Sequence, residues 1–309
     1  KNGSLHPKSV KIPGLVVDYV VLGKPENHMQ TISTQYNPAL SGDIRVPVNA
    51  LPPLPLDARK VIARRATAEL IRGAVVNLGI GVPAGVSSVA NEEGLGDAFR
   101  LSVESGVNGG VPQMGGDFAL ALNAESIIEQ PLQFNFYDGG GIDVSCLGLA
   151  QADASGNVNV SKFSGRPVGC GGFVNITQSA KKLVFCGTFT ADGLELEIGN
   201  GLLKIVKEGA VKKFIKQVEQ VTFNGKGSVQ RQQEVLFVTE RAVFHLTEQG
   251  LELTEIAPGI DLERDVLAQM EFKPVVRQLR TMDAGLFQER WGGLAEAMKN
   301  ARPIRLPKR

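Results

Sequence analysis

Between Ala74 and Ser105 the sequence reads AVVNLG, IGVPAG, VSSVANEEG and FRLSVES with little between them. AVVNLG is a short apolar run suited to a strand buried on both faces, and IGVPAG reads as a loop. VSSVANEEG has helical spacing with Pro83 in its first turn, while FRLSVES alternates, with Phe99, Leu101 and Val103 on one face. Strand, loop, helix, strand is the order of a βαβ unit, whose crossover joins parallel strands and lays a helix across the sheet. DARKVIARRATAELIRG, just before it, reads as a further helix with Asp57 as N-cap, Val61, Ile62, Ala66 and Leu70 at helical spacing, and Gly73 at its C-terminal cap.

The fold expected is α/β: a three-layer α/β/α open, mainly parallel sheet. IDVSCLGLAQADASGNVNVS reads as two strands joined by a turn at Asp153–Gly156, and KLVFCGTFT as another strand. From Leu194 to Ile256 short alternating runs such as LELEIG, EVLFVTE and AVFHLTE suggest an antiparallel annex on one end of the sheet. IDLERDVLAQM is read as a closing helix. Five prolines between Tyr36 and Leu56 mark a connector. This divides the chain into 1–56, the end of a preceding region with a Pro-rich linker, and 57–309, the main domain. The start at Lys1, in polar sequence ahead of a strand-like LVVDYVVLG, suits a cut in a longer polypeptide.

Composition excludes several function classes. The 33 Lys and Arg against 32 Asp and Glu give a formal charge of +1, with no single-sign run to serve as a footprint for nucleic acid or an acidic membrane. The longest apolar window, VVNLGIGVPAGVSSVA, is broken by Asn77, Pro83, Ser87 and Ser88, so no membrane span is expected. Cys146, Cys170 and Cys186 are widely spaced and unpaired in sequence, which suits reduced thiols and a cytoplasmic location. His6, His28 and His245 share no metal-ligand spacing, so no metal is expected.

FRLSVES ends on Glu104, and Gly106, Gly109 and Gly110 follow. A carboxylate at a strand end among glycines is either idle in solvent or placed where the backbone turns sharply and a bulky group approaches. Three glycine-rich loops, 77–85, 104–110 and 168–177, adjoin strands or helices and would gather beyond the carboxyl ends of a parallel sheet, where ligands bind. Gly79-x-Gly81-x-x-Ala84 also satisfies a dinucleotide-binding turn, and Glu104 lies 20 residues past Ala84, where an acid would hold a ribose hydroxyl. On these residues alone an NAD-dependent oxidoreductase stands beside a carboxylate-based reaction. Asn77, interrupting the strand before the turn, counts against the first.

The segments NLGIGVP, SVESG, FNFYDGGGIDVSCLGLAQADASGNVNVSKF and GCGGFVNITQSAKKLVFCGTFTA, in that order, resemble the second half of class I coenzyme A transferases, the fused-chain acetate or propionate type in particular. The resemblance runs from about Val61 through Met270 and is most specific from Phe134 to Ala191. It implies that 57–309 is a catalytic CoA-transferase domain, that an N-terminal domain absent from this chain accompanies it in the same precursor or as a second chain, and that the assembly is a homo-oligomer. It places the family's nucleophile on Glu104, within Glu104-Ser105-Gly106. The carboxylate would attack a short-chain acyl-CoA to give an acyl-glutamyl anhydride, then a glutamyl-CoA thioester, which an incoming carboxylate reverses: a ping-pong exchange with coenzyme A as substrate and covalent partner. The resemblance assigns the oxyanion-binding amide to the Gly171-Gly172 turn and sets Asn77, Gly79 and Gly81 against the nucleophile and the CoA arm. FYDGGG (136–141) reads either as a wall of the acyl pocket or as a tight turn. Cys170, with no histidine near it in sequence, is left outside the chemistry.

Overall fold

The computed structural model describes residues 3–47 and 52–304. Its centre is a ten-stranded sheet. In chain order the strands are β1 (Val75–Leu78), β2 (Arg100–Ser102), β3 (Val107–Asn108), β4 (Ser126–Ile127), β5 (Val144–Gly148), β6 (Lys182–Cys186), β7 (Glu234–Val238), β8 (Ala242–Thr247), β9 (Gly250–Ile256) and β10 (Arg280–Thr281). They lie in the order β10-β9-β8-β7-β6-β5-β1-β2-β3-β4. The run β2-β1-β5-β6-β7 is parallel throughout.

The expected βαβ unit is present. β1 leads through a short 3-10 turn, Val82–Ala84, into α2 (Gly85–Glu92) and back to β2, with Val76 opposite Leu101. Pro83 sits in that 3-10 turn, ahead of the helix. α1 (Ala58–Thr67) begins at Asp57, whose side chain accepts from the Lys60 amide as an N-cap should. It ends at Ala68, before Gly73, which instead turns the chain into β1 at φ +77°.

Pairing register explains the layers. Val76, Leu101, Val144 and Lys182 share one face of the sheet, and Lys182 there meets Glu69 just beyond α1. Asn77, Ser102 and Ser145 share the other face, where Asn77 and Ser102 meet Tyr137 of α3 (Gln130–Asp138) and Ser145 bonds Asn77. α4 (Phe173–Ser179) packs on that second face through Phe173, whose ring centroid is 5.9 Å from that of Phe185.

Four expectations change. Antiparallel strands flank the parallel run at both ends, β3 and β4 on one side, β8 and β9 on the other, so the annex is not confined to one end. EVLFVTE, read as annex, is the fifth parallel strand, and LELEIG pairs with Leu202–Lys207 in a separate hairpin. IDLERDVLAQM forms a π-helical turn, Leu262–Val266, followed by a 3-10 turn. LVVDYVVLG is no strand: apart from a 3-10 turn at Gly14–Val16 it is irregular, and Tyr19, Val20, Val21 and Leu22 are exposed because no sheet edge lies beside them. Part of the Pro-rich connector, residues 48–51, lies outside the described residues, as do 1–2 and 305–309 of the two proposed segments.

Burial of charge fixes α1 to the sheet. Lys182 Nζ donates to Glu69 Oε2 at 2.6 Å and to the Glu69 and Arg302 carbonyls, while Arg65 bridges Glu69 and Glu255. Burial works to raise the Glu69 pKa, but Arg65 and Lys182 overcome it and hold the carboxyl at about 2. The Lys182 pKa is lowered too, by burial and further by the like charge of Arg65, though for a cation this disfavours the charged form.

Candidate active site

Glu104 stands at the carboxyl end of β2, on a turn held by backbone bonds: Val103 N to Val107 O at 2.8 Å and Gly106 N to Val103 O at 3.0 Å. Glycine is required at 106. Its φ is +107°, and a Cβ there would lie 2.0 Å from the Ile128 carbonyl oxygen. The Ser105 hydroxyl donates to the Ala119 carbonyl and pins the middle of the turn. The question raised by the glycines around Glu104 thus has a geometric answer: they let the loop before α3 close onto the turn.

The Glu104 side chain is half-buried and lies against Gly172, which the ring of Phe134 also approaches. A Cβ on Gly172 would come within 2.6 Å of Glu104 Oε2 and 2.8 Å of Phe134 Cζ, so only a glycine leaves the carboxylate in place. Burial, with no cation to oppose it, raises the Glu104 pKa above the ordinary glutamate value. Gly172 is the N-cap of α4, and Gly171 before it has φ +51° with open space on its Cβ side. Of the two glycines of this turn, Gly172 is buried against the carboxylate and Gly171 is exposed. Cys170 is exposed beside them, whereas Cys146 and Cys186 are buried in β5 and β6.

The loop after β1 divides into two roles. Asn77 is buried and fully engaged: its Nδ2 donates to the Tyr137 hydroxyl at 3.2 Å and its Oδ1 accepts from Ser145 Oγ at 2.9 Å. Gly79 packs on β5, its amide donating to the Cys146 carbonyl at 2.8 Å, and Gly81 adopts φ +84° in the open as the chain enters the 3-10 turn. Asn77 thus reaches the site through Tyr137, while Gly79 and Gly81 form the backbone of an exposed loop tipped by Ile80.

Sequence reasoning missed the contribution of α3. Gln133, Phe134 and Tyr137, at i, i+1 and i+4, present one face of that helix to the Glu104 turn. Phe134 and Tyr137 pack edge to face at 5.9 Å. The Tyr137 hydroxyl donates to Ser102 Oγ at 2.9 Å; burial raises its pKa, and the Glu104 charge adds to the rise. Within FYDGGG, Phe136 lies over Gly141, where a Cβ would meet its ring at 2.4 Å, so this stretch closes α3 and turns the chain. Phe134, two residues earlier, instead brings its ring tip close to Gly172, 2.8 Å from where a Cβ on that glycine would lie.

A cleft of about 860 Å³ lined by Arg65, Glu255, Arg280 and Trp291 lies on the α1 side and shares no residue with this site. Among the described residues, no group of three or more His, Cys, Asp or Glu side chains is placed to hold a metal ion. Nor is any helix there long and apolar enough to cross a membrane.

No family model matches the chain. It is 50% identical over 302 residues to a caffeate CoA-transferase from Acetobacterium woodii, covering 96% of this chain and 57% of that protein. It is 30% identical over 226 residues to the acetate CoA-transferase subunit beta of Escherichia coli strain K12, covering 67% of this chain and 89% of that subunit. Its fold superposes on the solved acyl-CoA transferase YdiF of Escherichia coli O157:H7, crystallised as a thioester complex with CoA, with a TM-score of 0.83 and 44% identity over 95% of this chain and 55% of that one. A carboxylate at a parallel strand end, facing a glycine turn, sits in a chain that belongs to the class I coenzyme A transferase family. Within that family it matches the β-subunit-like half, and it spans about half the length of the longer curated relatives.

Proposed function

We propose that this chain is the nucleophile-bearing half of an enzyme that moves coenzyme A between short-chain acyl-CoA thioesters and free carboxylic acids. The observation that carries the reading is the position of the Glu104 carboxylate, half-buried and in contact with the Gly172 backbone. Desolvation makes a carboxylate a better nucleophile than it is in water, and backbone amides of a glycine turn can approach a developing oxyanion without obstruction.

Glu104 attacks the thioester carbonyl and expels CoA thiolate, giving an acyl-glutamyl anhydride. The thiolate then attacks the glutamyl carbonyl, forming glutamyl-CoA and releasing the first acid. A second carboxylate reverses both steps. No step passes the acyl group to water, so thioester energy is conserved. The Gly171-Gly172 turn supplies an oxyanion donor, for which Gly172 lies closer to the carboxylate, and the backbone at Gly79 and Gly81 borders the CoA arm. The known relatives act on acetate and caffeate by name, and pocket volume rather than the nucleophile would choose between such acids.

The working site needs the other half. Ile80, Leu132, Phe136, Val168 and Val174, on the elements that frame Glu104, are exposed, as is the whole run Tyr19–Leu22. A second α/β half, in the same precursor or as a separate chain, would cover these side chains and enclose Glu104, in an assembly that is a homo-oligomer in the cytoplasm. The NAD reading is not favoured: the relatives are CoA-transferases.

The test mixes the complete enzyme, both halves present, with acetyl-CoA and propionate. Propionyl-CoA should form one for one with acetyl-CoA lost, at constant total thioester. Loss of thioester to free CoA without propionyl-CoA would contradict transfer.

A further inference from the structure

Resting on the reading of Glu104 as nucleophile, we infer that Gln133 is a positioning residue for it, acting through Asn108 on the Glu104–Gly106 turn. The direction of three groups carries the argument. The Gly106 carbonyl can only accept, and Asn108 Nδ2 donates to it at 3.2 Å. The same Nδ2 donates to Gln133 Oε1 at 2.9 Å, so the Gln133 amide must present its oxygen to Asn108. Its Nε2 is thereby turned toward Tyr137, whose hydroxyl already donates to Ser102 and accepts from Asn77.

Gln133 is fully buried, and its Nε2 has no hydrogen-bond partner of standard geometry among the described residues, although it lies near enough to Tyr137 to favour that hydroxyl's ionised form. An orphaned buried donor is costly, and a side chain needed only for packing could be apolar at this position. The sequence keeps the amide because its oxygen closes a clasp: Gln133 on α3, Asn108 on β3, Gly106 in the turn. The Ile128 amide also donates to the Gly106 carbonyl, at 2.9 Å, so that one oxygen ties the reactive turn both to the approach of α3 and to its buried face. Phe134, next in sequence, and the Glu104 carboxylate both crowd the point where a Cβ on Gly172 would lie.

The clasp predicts a loss in rate without a loss in binding. In the complete enzyme, formation of the CoA adduct on Glu104 is followed by intact mass in single turnover with acetyl-CoA, alongside steady-state kcat and KM. Gln133→Met, which removes the acceptor at similar volume, should slow adduct formation by about 10²-fold, the scale of a nucleophile displaced by about 1 Å. The acyl-CoA KM should stay near the wild-type value and the final adduct yield should be unchanged. Asn108→Ala should act in the same direction, with the double variant no slower than the slower single one. Gln133→Glu keeps an oxygen for Asn108 and should recover most of the rate. Wild-type speed in Gln133→Met, equal slowness in Gln133→Glu and Gln133→Met, or a fall in adduct yield in place of its rate would overturn the clasp while leaving the Glu104 chemistry standing. No adduct in the wild-type enzyme would overturn both.

Discussion

The Glu104 carboxylate rests on the backbone of Gly172, so closely that a Cβ on that glycine would lie 2.6 Å from Oε2. Gly172→Ala therefore displaces the carboxylate, the free end of a flexible side chain, with little disturbance of the fold. Phe134 Cζ, 2.8 Å from the new Cβ, must shift as well, so the expected result is a fall in kcat of about 10²-fold with a small loss of thermal stability. Gly171→Ala is the contrast: φ +51° makes it strained, at a cost of about 1–2 kcal/mol, but nothing lies within 4 Å of the new Cβ, so Glu104 stays in place. Steady-state kinetics and thermal melts of the two variants separate displacement from strain.

Burial raises the Glu104 pKa, which sets the sign of two pH effects. In the proposed mechanism the carboxylate is the reacting form, so the acid limb of kcat/KM should fall above the ordinary glutamate range. For stability, a carboxyl whose folded pKa is raised contributes most when protonated, below its unfolded pKa, and that contribution is lost as pH rises through the folded pKa. Glu104→Gln should thus abolish transfer yet raise the melting temperature slightly at neutral pH, with the gain vanishing below the unfolded pKa. Melting curves across pH check this.

Glu69 behaves oppositely. With its pKa held at about 2, its stabilisation is present above the unfolded glutamate value and lost as pH falls toward 2. Lys182→Met leaves Glu69 with only Arg65 for charge neutralisation and should destabilise the domain by about 3–5 kcal/mol at neutral pH, less as the carboxyl is protonated. Denaturant unfolding at two pH values reads the difference.

Asn77 separates structure from binding. Asn77→Ala strands the Ser145 hydroxyl and one partner of Tyr137 and should cost about 1–3 kcal/mol of stability. Because the side chain faces Tyr137, the acyl-CoA KM should change little. A large rise in KM at intact stability would place Asn77 on the CoA arm directly.

Much of this was legible before the fold. The period-2 run ending at Glu104, the Asp57 cap and the apolar strand at Val75–Leu78 are local signals, set by alternation and by unsatisfied backbone donors, and each appears where expected. The role of EVLFVTE was hidden because an apolar run reads alike in a parallel or an antiparallel neighbour; only its pairing with β6 distinguishes them. LVVDYVVLG has strand composition, but a strand exists only with an edge to pair against. The α3 face escaped notice for another reason. Gln133, Phe134 and Tyr137 come up to Asn108, Gly172 and the Glu104 turn only through tertiary contact, which no local pattern along the helix announces.

The most direct test of the account is intact mass of the complete enzyme after brief exposure to acetyl-CoA and an acid quench, with Glu104→Ala beside it. A CoA-sized adduct should map to the peptide bearing Glu104 and be absent from the variant. A folded, complete enzyme that exchanges CoA between acids with no adduct on Glu104, or with the adduct on another residue, would contradict it.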